Sequence, residues 1–490
     1  MIRIFLLLIL SGMVATLGAQ PFRCIVATDG SGTHSSIQAA IDDCPDGERS
    51  LIFIKSGIYP EQISIGSNTA SSTKLISLIG EHPDSVIITN SRYRSTANGL
   101  SFYDVVTVQI FAVDFYAENL TIENVAGNMG QAEALYTGSD RQTFKNVKLK
   151  SYQDTYRSKK GTRGYFKNCW IEGAVDFIYA GGVLFFDDCT IHCVAGGGYI
   201  TAPEDAAFTI PKAQTASDKF LRLGFIFRNC DITAGAGVTA GSYYLGRPWN
   251  TMAGSFYLNC TLGAHINPKG WKDWNGNESN SSFAEYQSVD TDGNPIDISQ
   301  RVSWSFQLPR ADVENLFTTQ AIYARVSSTV YNPETICIAP ESPAALTRNG
   351  NTLNWQAVND VAGYIILKDG SYYASTIETV YTLADAVEGD FSVVSVGPWG
   401  QLSSAGAISA IKTPKTEQWI ISQDESQICF DRPLTIRAFT VEGRQVYQSD
   451  QYLEQLELQN LPAGLLVINL RDRSGLQHNE KLIITRNKSF

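Results

Sequence analysis

The sequence predicts an all-β protein in which a right-handed parallel β-helix is followed by two small β-sandwich domains. A four-residue motif recurs five times at intervals of about 20 residues or longer, and the segments between its copies are rich in Val, Ile, Phe and Thr. After about residue 340 the motif stops, and short runs of alternating apolar and polar residues follow. We therefore expect the β-helix over residues 20–332 and smaller β domains over 340–412 and 415–490.

The first twenty residues, MIRIFLLLILSGMVATLGAQ, combine Arg3 with an apolar run and then small residues at Gly18 and Ala19. This pattern is typical of a secretory signal peptide, which we predict over residues 1–19. The apolar run is short for a membrane span, and a retained N-terminal anchor is the alternative. We expect the protein to be secreted or held at the cell surface.

The charge and the histidine content bear on whether the protein binds nucleic acid, a metal ion or a cofactor. The 490-residue chain has a formal net charge of -11 and no basic stripe, which argues against nucleic acid as a partner. Its five histidines are scattered, with no HxxxH or CxxC pair. We therefore predict no metal site and no cofactor.

The recurring motif is an aromatic residue, two polar residues with Asn or Asp second, and then Cys or Val. Its copies are FKNV (144–147), FKNC (166–169), FDDC (186–189), FRNC (227–230) and YLNC (257–260). In a parallel β-helix, equivalent residues of successive coils lie about 4.8 Å apart. The aromatic and Cys side chains should stack inside, with Asn side chains hydrogen-bonded along the turns. Cys169 and Cys189 occupy matching positions, where either a disulfide or two reduced thiols would fit.

Two aspartates occupy the same position on successive coils. Asp154 and Asp176 each follow the phenylalanine of their own motif by ten residues, and Gln131 precedes Gln153 by 22 residues. This register should place the four side chains on one face of the β-helix. Solvated polar caps on the coil turns are the alternative, but two acids at close range would repel each other there without a purpose.

In such a pair, one carboxylate can act as a nucleophile and the other as a general acid. Adjacent carboxylates titrate apart, because one stays ionised while the other is pushed toward its protonated form. The pair then offers a nucleophile and a general acid, and the glutamine amides offer donors for an oxyanion. The segment YLGRPWN (244–250) adds Arg247, a partner for an ionised aspartate. It also adds Trp249, which is either a sugar-stacking platform or a core residue.

Taken in order over residues 22–305, these motifs resemble a pectin methylesterase of the carbohydrate esterase type. The segments that carry the resemblance are CIVATDGSGTHSSIQAAIDDCP (24–45), IFIKSGIYPEQISI (52–65), GQAEAL (130–135), YQDT (152–155), VDFIYA (175–180), YITA (199–202), LGRPW (245–249), INPKGWKDW (266–274) and FAEYQSVD (283–290). Each segment alone is a weak signal, whereas the ordered set is specific.

The resemblance implies a catalytic role for five residues. Asp176 would attack the C6 methyl-ester carbonyl of galacturonate, and Asp154 would protonate the departing methanol and later deprotonate water. Gln131 and Gln153 would stabilise the tetrahedral oxyanion. Arg247 would hold and orient Asp176. All five positions carry the residue type that the family pattern requires.

The same resemblance implies that Trp249, Trp274, Tyr179 and Arg157 contact the sugar chain. Two segments depart from the family pattern. YQDT is followed by Tyr-Arg where Leu-Tyr is usual, and VDFI is followed by Tyr-Ala where Phe-Gly is usual. These departures flank the cleft and bear on the preferred methylation pattern. Our hypothesis is that Arg157 favours pectin that already carries free carboxylates, which an Arg157→Tyr variant would test.

The last 150 residues resemble two further modules. Trp355, the Gly363-Tyr364 pair, Tyr381 and FSVVSV (391–396) resemble a fibronectin type III sandwich, which would act as a spacer or as a module near the glycan. From about residue 415, LTIRAFTVEGRQVYQ, LQNLPAGLLVINLRDRSG and EKLIITR resemble the sorting domain of the type IX secretion route. That resemblance implies passage through outer-membrane secretion machinery, and another plain β-sandwich is the alternative.

The predicted function is hydrolysis of the C6 methyl esters of homogalacturonan in methyl-esterified pectin, through an aspartyl acyl-enzyme. The alternatives are an esterase for another methylated polyuronate, a thioesterase, a non-catalytic glycan-binding surface protein and a pectate lyase. The tryptophans favour a sugar over a thioester, and the complete site argues against a non-catalytic protein. A lyase would need a calcium-binding acid cluster, which the sequence does not show at this cleft.

Overall fold

The computed structural model describes residues 20–384, 387–407, 420–423, 426–440, 444–449, 451–473 and 477–484. The predicted signal peptide, residues 1–19, lies outside the described residues. The chain divides into two compact units, Met1–Ile408 and Ser409–Phe490. Within the described ranges, no helix is both long enough and apolar enough to span a bilayer.

The first unit is built on three parallel sheets whose strands follow one another in turn along the chain, as the repeat predicted. The eleven-stranded sheet contains Cys24–Val26, Arg49–Ile54, Leu75–Gly80, Tyr116–Glu118, Gln142–Lys145, Arg163–Lys167, Val183–Asp187, Phe225–Arg228, Gly254–Leu258, Ser282–Tyr286 and Phe306–Gln307. The eight-stranded sheet contains Gly57–Tyr59, Val86–Asn90, Thr121–Asn124, Lys148–Lys150, Trp170–Gly173, Thr190–Cys193, Asp231–Ala234 and Thr261–Leu262. The seven-stranded sheet contains Ile63–Ile65, Val108–Ile110, Leu135–Thr137, Tyr156–Ser158, Val175–Ala180, Tyr199–Pro203 and Tyr244–Gly246.

Short elements complete this part of the chain. The helix Ile37–Asp42 is capped by the Ser36 hydroxyl, which accepts from the Ala39 N–H, and it buries Ile37 and Ile41 at the first coil. The described 3₁₀ helices in this part are Phe102–Asp104, Lys212–Gln214 and Asn277–Asn280, and an antiparallel pair is formed by Thr209–Ile210 and Leu221–Arg222. After the last coil come the helices Arg310–Leu316, Thr319–Val326 and Pro333–Ile336.

The aromatic residues of the five motif copies form one continuous stack inside the β-helix, which confirms the predicted ladder. Phe144, Phe166, Phe186, Phe227 and Tyr257 are paired in register on successive strands. Their ring centroids are 4.7, 4.8, 4.7 and 4.5 Å apart, and the rings are stacked. These separations match the distance between neighbouring strands, so the backbone ladder and the core share one spacing.

The third residue of each motif copy forms the turn that leaves the eleven-stranded sheet. Its φ angle lies between 51 and 55° at Asn146, Asn168, Asp188, Asn229 and Asn259. Asn and Asp enter this left-handed region more readily than other residues with a side chain, which explains why the motif carries them. The predicted hydrogen bond along the turns is seen where the Asn146 amide donates to Asn119 Oδ1 at 2.6 Å.

Cys169 and Cys189 are buried free thiols in the structure. The Cys169 Sγ donates to the Phe144 carbonyl at 3.6 Å, and the Cys189 Sγ donates to the Phe166 carbonyl at 3.3 Å. Each thiol therefore contacts the backbone of the preceding coil, which agrees with the reduced alternative left open by the sequence.

The segment predicted as a fibronectin type III-like spacer contains two antiparallel sheets. Their strands are Thr347–Asn349, Thr352–Asn354 and Val380–Thr382 in one sheet, and Gly363–Lys368, Ser371–Thr376, Phe391–Val396 and Gly406–Ala407 in the other. An apolar cluster joins this segment to the eleven-stranded sheet, with Phe53 and Ile79 packed against Ile365 and Val394. The Arg49 guanidinium also lies 3.5 Å from the centroid of the Trp399 ring.

The second unit is an antiparallel β structure. Its described strands are Ile420–Gln423, Gln427–Thr440, Gln445–Gln448, Leu453–Glu457, Gly464–Arg471 and Gln477–Ile484, with a 3₁₀ helix at Leu458–Asn460. The long strand Gln427–Thr440 pairs with four of the others. Ile428, Ile436 and Ile468 lie in the apolar core of this second unit. The resemblance to a secretion sorting domain stays a prediction.

Replacing Phe186 by alanine should lower the free energy of unfolding by about 3–5 kcal/mol, because its fully buried ring stacks on Phe166 and Phe227. Denaturant titration of the purified chain measures this change. The matched control is Phe220→Ala, since that ring is 49% exposed and its loss should cost much less. Equal losses in the two variants would contradict the stack as a source of stability.

Candidate active site

Asp176 lies at the start of the strand Val175–Ala180 and is bound by one arginine. Its φ of 48° places the residue in the left-handed region, so the backbone bends where the side chain projects. The Arg247 Nε donates to Oδ1 at 2.9 Å and Nη2 donates to Oδ2 at 2.6 Å. Burial raises the pKa of the Asp176 carboxyl, while the hydrogen bonds and charge of Arg247 oppose that rise. A forked guanidinium contact of this kind orients both oxygens and favours the ionised form.

Arg247 is itself held between two aromatic rings. Its guanidinium carbon lies 3.8 Å from the centroid of the Tyr199 ring and 4.0 Å from that of Trp274. Planar guanidinium groups stack well on aromatic faces, so both rings fix the position from which Arg247 reaches Asp176.

Asp154 occupies the equivalent place on the preceding coil. Tyr156 pairs with Ile178, so Asp154 and Asp176 lie two residues before a pair of strand partners. Asp154 also has a positive φ, 64°, and the residue is only 4% exposed. Burial, followed by the charges of Glu133 and Asp176, raises the pKa of Asp154 well above the usual range. The two acids are thus brought together as predicted, with unlike surroundings.

The amide of Gln131 contacts Asp154 directly. Its Nε2 donates to Asp154 Oδ2 at 2.8 Å, and its Oε1 accepts from Arg94 Nη1 at 2.6 Å. Arg94 therefore fixes which end of the amide faces the acid. Gln153, directly before Asp154, is half-buried and its backbone bridges to Val175. Both glutamines lie beside the acid pair, where the sequence placed them.

The predicted sugar-contacting aromatic residues flank the acids. Trp249 is 43% exposed, so the alternative reading of it as a core residue is wrong. Its ring meets Tyr179 edge to face, with centroids 5.9 Å apart. Tyr179 and Ala202 are buried, and the partly buried Trp274 packs against them. Exposed indole beside a buried polar site is suited to stacking on a sugar ring.

Arg157, predicted to contact substrate, forms an ion pair with the buried carboxylate of Glu133 in the structure. Its Nε donates to both oxygens of Glu133, at 2.9 and 3.0 Å, and its guanidinium carbon lies 3.9 Å from the centroid of the Tyr136 ring. Only 14% of its side chain is exposed. The hypothesis that Arg157 selects free carboxylates on pectin stays a prediction.

Sequence reasoning missed Glu133 and Arg94 as members of the site. Glu133 stood in the quoted segment GQAEAL, where an acid among apolar residues was an available signal. Arg94 lies in an irregular segment after the strand Val86–Asn90 and outside the repeat, so no spacing pointed to it.

Among the described residues, Cys24, His34 and Asp43 bring three ligand-type atoms within 4.8 Å of one another. Asp43 is exposed, and the Cys24 thiol donates to the Ala40 carbonyl. Cys24 lies in the first strand, Cys24–Val26, whereas Asp154 and Asp176 lie on later coils.

Comparison with known proteins places the chain in a family. A family model described as pectinesterase matches residues 23–324, which include every candidate site residue. The chain belongs to the pectinesterase family. Pectinesterase 2 of Citrus sinensis is 32% identical over 289 residues, covering 57% of this chain and 53% of that protein. This member spans about half the length of several curated plant relatives that it matches.

Solved structures of other pectinesterases share the fold of this member. The pectin methylesterase from carrot is 28% identical with a TM-score of 0.54, covering 63% of this chain and 95% of the carrot chain. A mutant pectin methylesterase in complex with a hexasaccharide is 25% identical with a TM-score of 0.50, covering 64% of this chain and 99% of that one. The family match over residues 23–324 falls on the β-helical part of the chain and the helices that follow it.

Replacing Asp154 by asparagine should stabilise the protein at neutral pH. The folded-state pKa of Asp154 lies above its unfolded value, so its contribution to stability is full below the unfolded pKa and is lost as pH rises toward the folded pKa. Each pKa unit is worth about 1.4 kcal/mol. When unfolding free energies are measured from pH 3 to pH 8, the unfolding free energy of the variant should rise relative to that of the wild type as pH rises.

The control for this substitution is Asp188→Asn, which changes an exposed aspartate that also has a positive φ. If Asp154→Asn raises the unfolding free energy at neutral pH but not at low pH, and the control does neither, the result supports the assigned burial and charges around Asp154. An unchanged or lower stability of Asp154→Asn at all pH values would contradict it.

Proposed function

We propose that the protein hydrolyses the C6 methyl esters of homogalacturonan to free carboxylate and methanol. The observation that carries this proposal is the pair of buried carboxylates on successive coils, one held by a forked arginine and the other by a glutamine amide. Membership of the pectinesterase family and a solved relative that binds a hexasaccharide support it.

In the first half of the reaction, an ionised Asp176 oxygen attacks the C6 carbonyl carbon. Arg247 orients that carboxylate through its two hydrogen bonds. The carbonyl oxygen becomes an oxyanion, to which the Gln131 and Gln153 amides donate hydrogen bonds. The C–O bond to the methoxy group then breaks, and Asp154 gives its proton to that oxygen. Methanol leaves, and the galacturonyl group is joined to Asp176 as a mixed anhydride.

In the second half, the ionised Asp154 takes a proton from water. The hydroxide oxygen attacks the C6 carbonyl and the bond to Asp176 breaks. The sugar is released as a carboxylic acid, which loses its remaining proton to solvent and departs as the carboxylate. Asp154 is then protonated again and Asp176 is again ionised. The reaction needs one group that is protonated and one that is ionised at the start, which matches the unlike surroundings of the two acids.

The substrate-binding residues in this proposal are Trp249, Trp274, Tyr179 and Arg157. The exposed Trp249 ring supplies a stacking face for a galacturonate ring, while Trp274 and Tyr179 form the wall beside it. Arg157 is the register partner of Tyr179 at this wall, and the exposed 14% of its side chain, which is paired with Glu133, would contact the sugar chain.

The proposal extends to export. The N-terminal pattern over residues 1–19 and the sorting-like resemblance of residues 415–490 support secretion, with the second pattern pointing to outer-membrane machinery. Residues 340–412 are proposed as a fibronectin type III-like module, and their apolar contact with the eleven-stranded sheet holds them beside the catalytic domain.

The Asp176→Asn variant should lose at least about 10³-fold in methanol release from highly methylated pectin, because an amide cannot act as the nucleophile. The measurement is methanol produced per enzyme, with the fold of each variant checked by its thermal unfolding. Asp188→Asn, a surface change of the same type, should retain wild-type activity.

Loss in Asp176→Asn alone supports the esterase and its nucleophile together. A folded wild type that releases no methanol would contradict the proposal, and would favour the ester of another polyuronate or a glycan-binding protein without catalysis.

Trp249→Ala should raise KM for pectin by about 3- to 10-fold and leave kcat nearly unchanged, because stacking on the sugar is made equally in the ground and transition states. Initial rates over a range of pectin concentrations separate the two constants. Phe220→Ala removes another exposed aromatic ring and should change neither. A drop in kcat with KM unchanged would contradict the platform role of Trp249.

A further inference from the structure

Glu133 lies beside Asp154 but belongs to no part of the reaction assigned above. The backbone N–H of Ala132 donates to the Gln153 carbonyl, and those of Ala134 and Leu135 donate to the Thr155 carbonyl, so the two acceptors lie on either side of Asp154. Two successive N–H groups share the Thr155 carbonyl, so this stretch holds an extra residue relative to the neighbouring coil. The bulge sets the Glu133 side chain next to the turn that carries the acid.

The Glu133 carboxylate is completely buried and held from two sides. Its Oε1 accepts from the Tyr179 hydroxyl at 2.6 Å and from Arg157 Nε at 2.9 Å, while Oε2 accepts from the same nitrogen at 3.0 Å. Arg157 and Tyr179 are register partners on neighbouring strands, so both donors converge on one carboxylate. Burial raises the pKa of Glu133 to about 7, against the opposing effects of these two partners.

The Arg157 guanidinium is committed to this acid rather than to solvent. It lies over the Tyr136 ring, and its Nη2 is buried without a hydrogen-bond partner in the described part of the chain. A buried guanidinium is costly unless an anion matches its charge. Arg157 therefore favours the ionised form of Glu133, and the two groups are expected to be ionised together above about pH 7.

Asp154 has an excess of negative neighbours. Beyond its own burial, the carboxylates of Glu133 and then Asp176 disfavour its ionisation. The Gln131 hydrogen bond and the Arg157 charge favour ionisation, with smaller effects. Glu133 thus acts on Asp154 more strongly than Arg157 does, although the two form an ion pair.

We propose that Glu133 is a positioning residue that keeps Asp154 protonated for the first proton transfer, and that Arg157 and Tyr179 hold Glu133 at the required place. This inference rests on the proposed function, because it takes Asp154 as the proton donor. Glu133 touches neither substrate nor the reacting atoms. The same charge makes the Asp154 anion a stronger base once methanol has left, which serves the attack of water.

The test measures the pH at which Asp154 ionises, from the carboxyl stretching band in infrared difference spectra. Subtracting the spectrum of Asp154→Asn isolates that band, in both the wild type and the Glu133→Gln background. Glu133→Gln should lower the ionisation pH by about one unit or more, because an anion is removed and Arg157 keeps its charge. An unchanged or higher ionisation pH would overturn the inference.

This readout needs no turnover, so it separates the inference from the proposed function. A chain that shows the shift but releases no methanol contradicts the esterase assignment alone. Where methanol is released, the alkaline limb of the kcat/KM profile should move down in pH together with the infrared band. A limb that stays in place would overturn the role of Glu133 in the reaction.

Glu118→Gln is the matched control. Glu118 is also a buried glutamate, paired with Lys145 at 3.0 Å and with the Tyr116 hydroxyl at 2.8 Å, but on the eleven-stranded sheet. It should reduce stability without moving the Asp154 ionisation pH. A similar shift in this control would show general loosening and would overturn the inference.

A double variant covers the case in which Glu133→Gln does not fold with Arg157 left unpaired. Glu133→Gln combined with Arg157→Gln removes both charges, so the ionisation pH of Asp154 should fall by less than in the single variant. An ionisation pH equal to or above that of the wild type would overturn the proposal.

Discussion

Each coil of the β-helix is hydrogen-bonded to the next along the helix axis, so a slip of one residue would turn inward side chains toward the surface. The stacked rings of Phe166, Phe186 and Phe227 resist such a slip, because they lie face to face at the strand spacing. Left-handed Asn and Asp residues end the five motif-bearing strands of the eleven-stranded sheet at the same point. The position of the site follows from this register, which sets Asp154 and Asp176 on adjacent coils.

Placing two carboxylates side by side in a buried cleft opposes folding, because burial and mutual repulsion both disfavour their charges. The structure handles the two acids differently. Asp176 receives a forked guanidinium that compensates an ionised carboxylate. Asp154 receives an amide, while burial and the nearby charge of Glu133 raise its pKa. In the proposed reaction these unlike surroundings give one nucleophile and one acid without drawing on a histidine.

The parts of this account that depend on a constant period could be predicted from the sequence. The aromatic ladder and the pairing of Asp154 with Asp176 both follow from fixed spacing, and the structure has both. Glu133 could not be placed in this way. Gln131 precedes Gln153 by 22 residues, whereas Leu135 pairs with Tyr156 across 21, so the interval changes within this stretch. A bulge of this kind has no signature in a repeat of fixed length.

The contact of Arg94 with Gln131 and the docking of residues 340–407 also could not be predicted from the sequence, because neither follows from the repeat. Arg94 reaches Gln131 from an irregular segment, and side chains from such segments carry no periodic signal. The docking of residues 340–407 depends on the outer face of the eleven-stranded sheet, where Phe53 and Ile79 are apolar. A strand that is apolar on both faces is predicted from the sequence to be buried, but the sequence pattern does not show which part of the chain covers it.

The central claim is that equivalent positions on adjacent coils hold one protonated and one ionised carboxylate. Neutron diffraction from a deuterium-exchanged crystal at neutral pH would test it directly, because deuterium on a carboxyl oxygen is located rather than inferred. The account predicts a deuteron on Asp154 and none on Asp176, whose two oxygens accept from Arg247. Two bare carboxylates, or a deuteron on Asp176 alone, would contradict it.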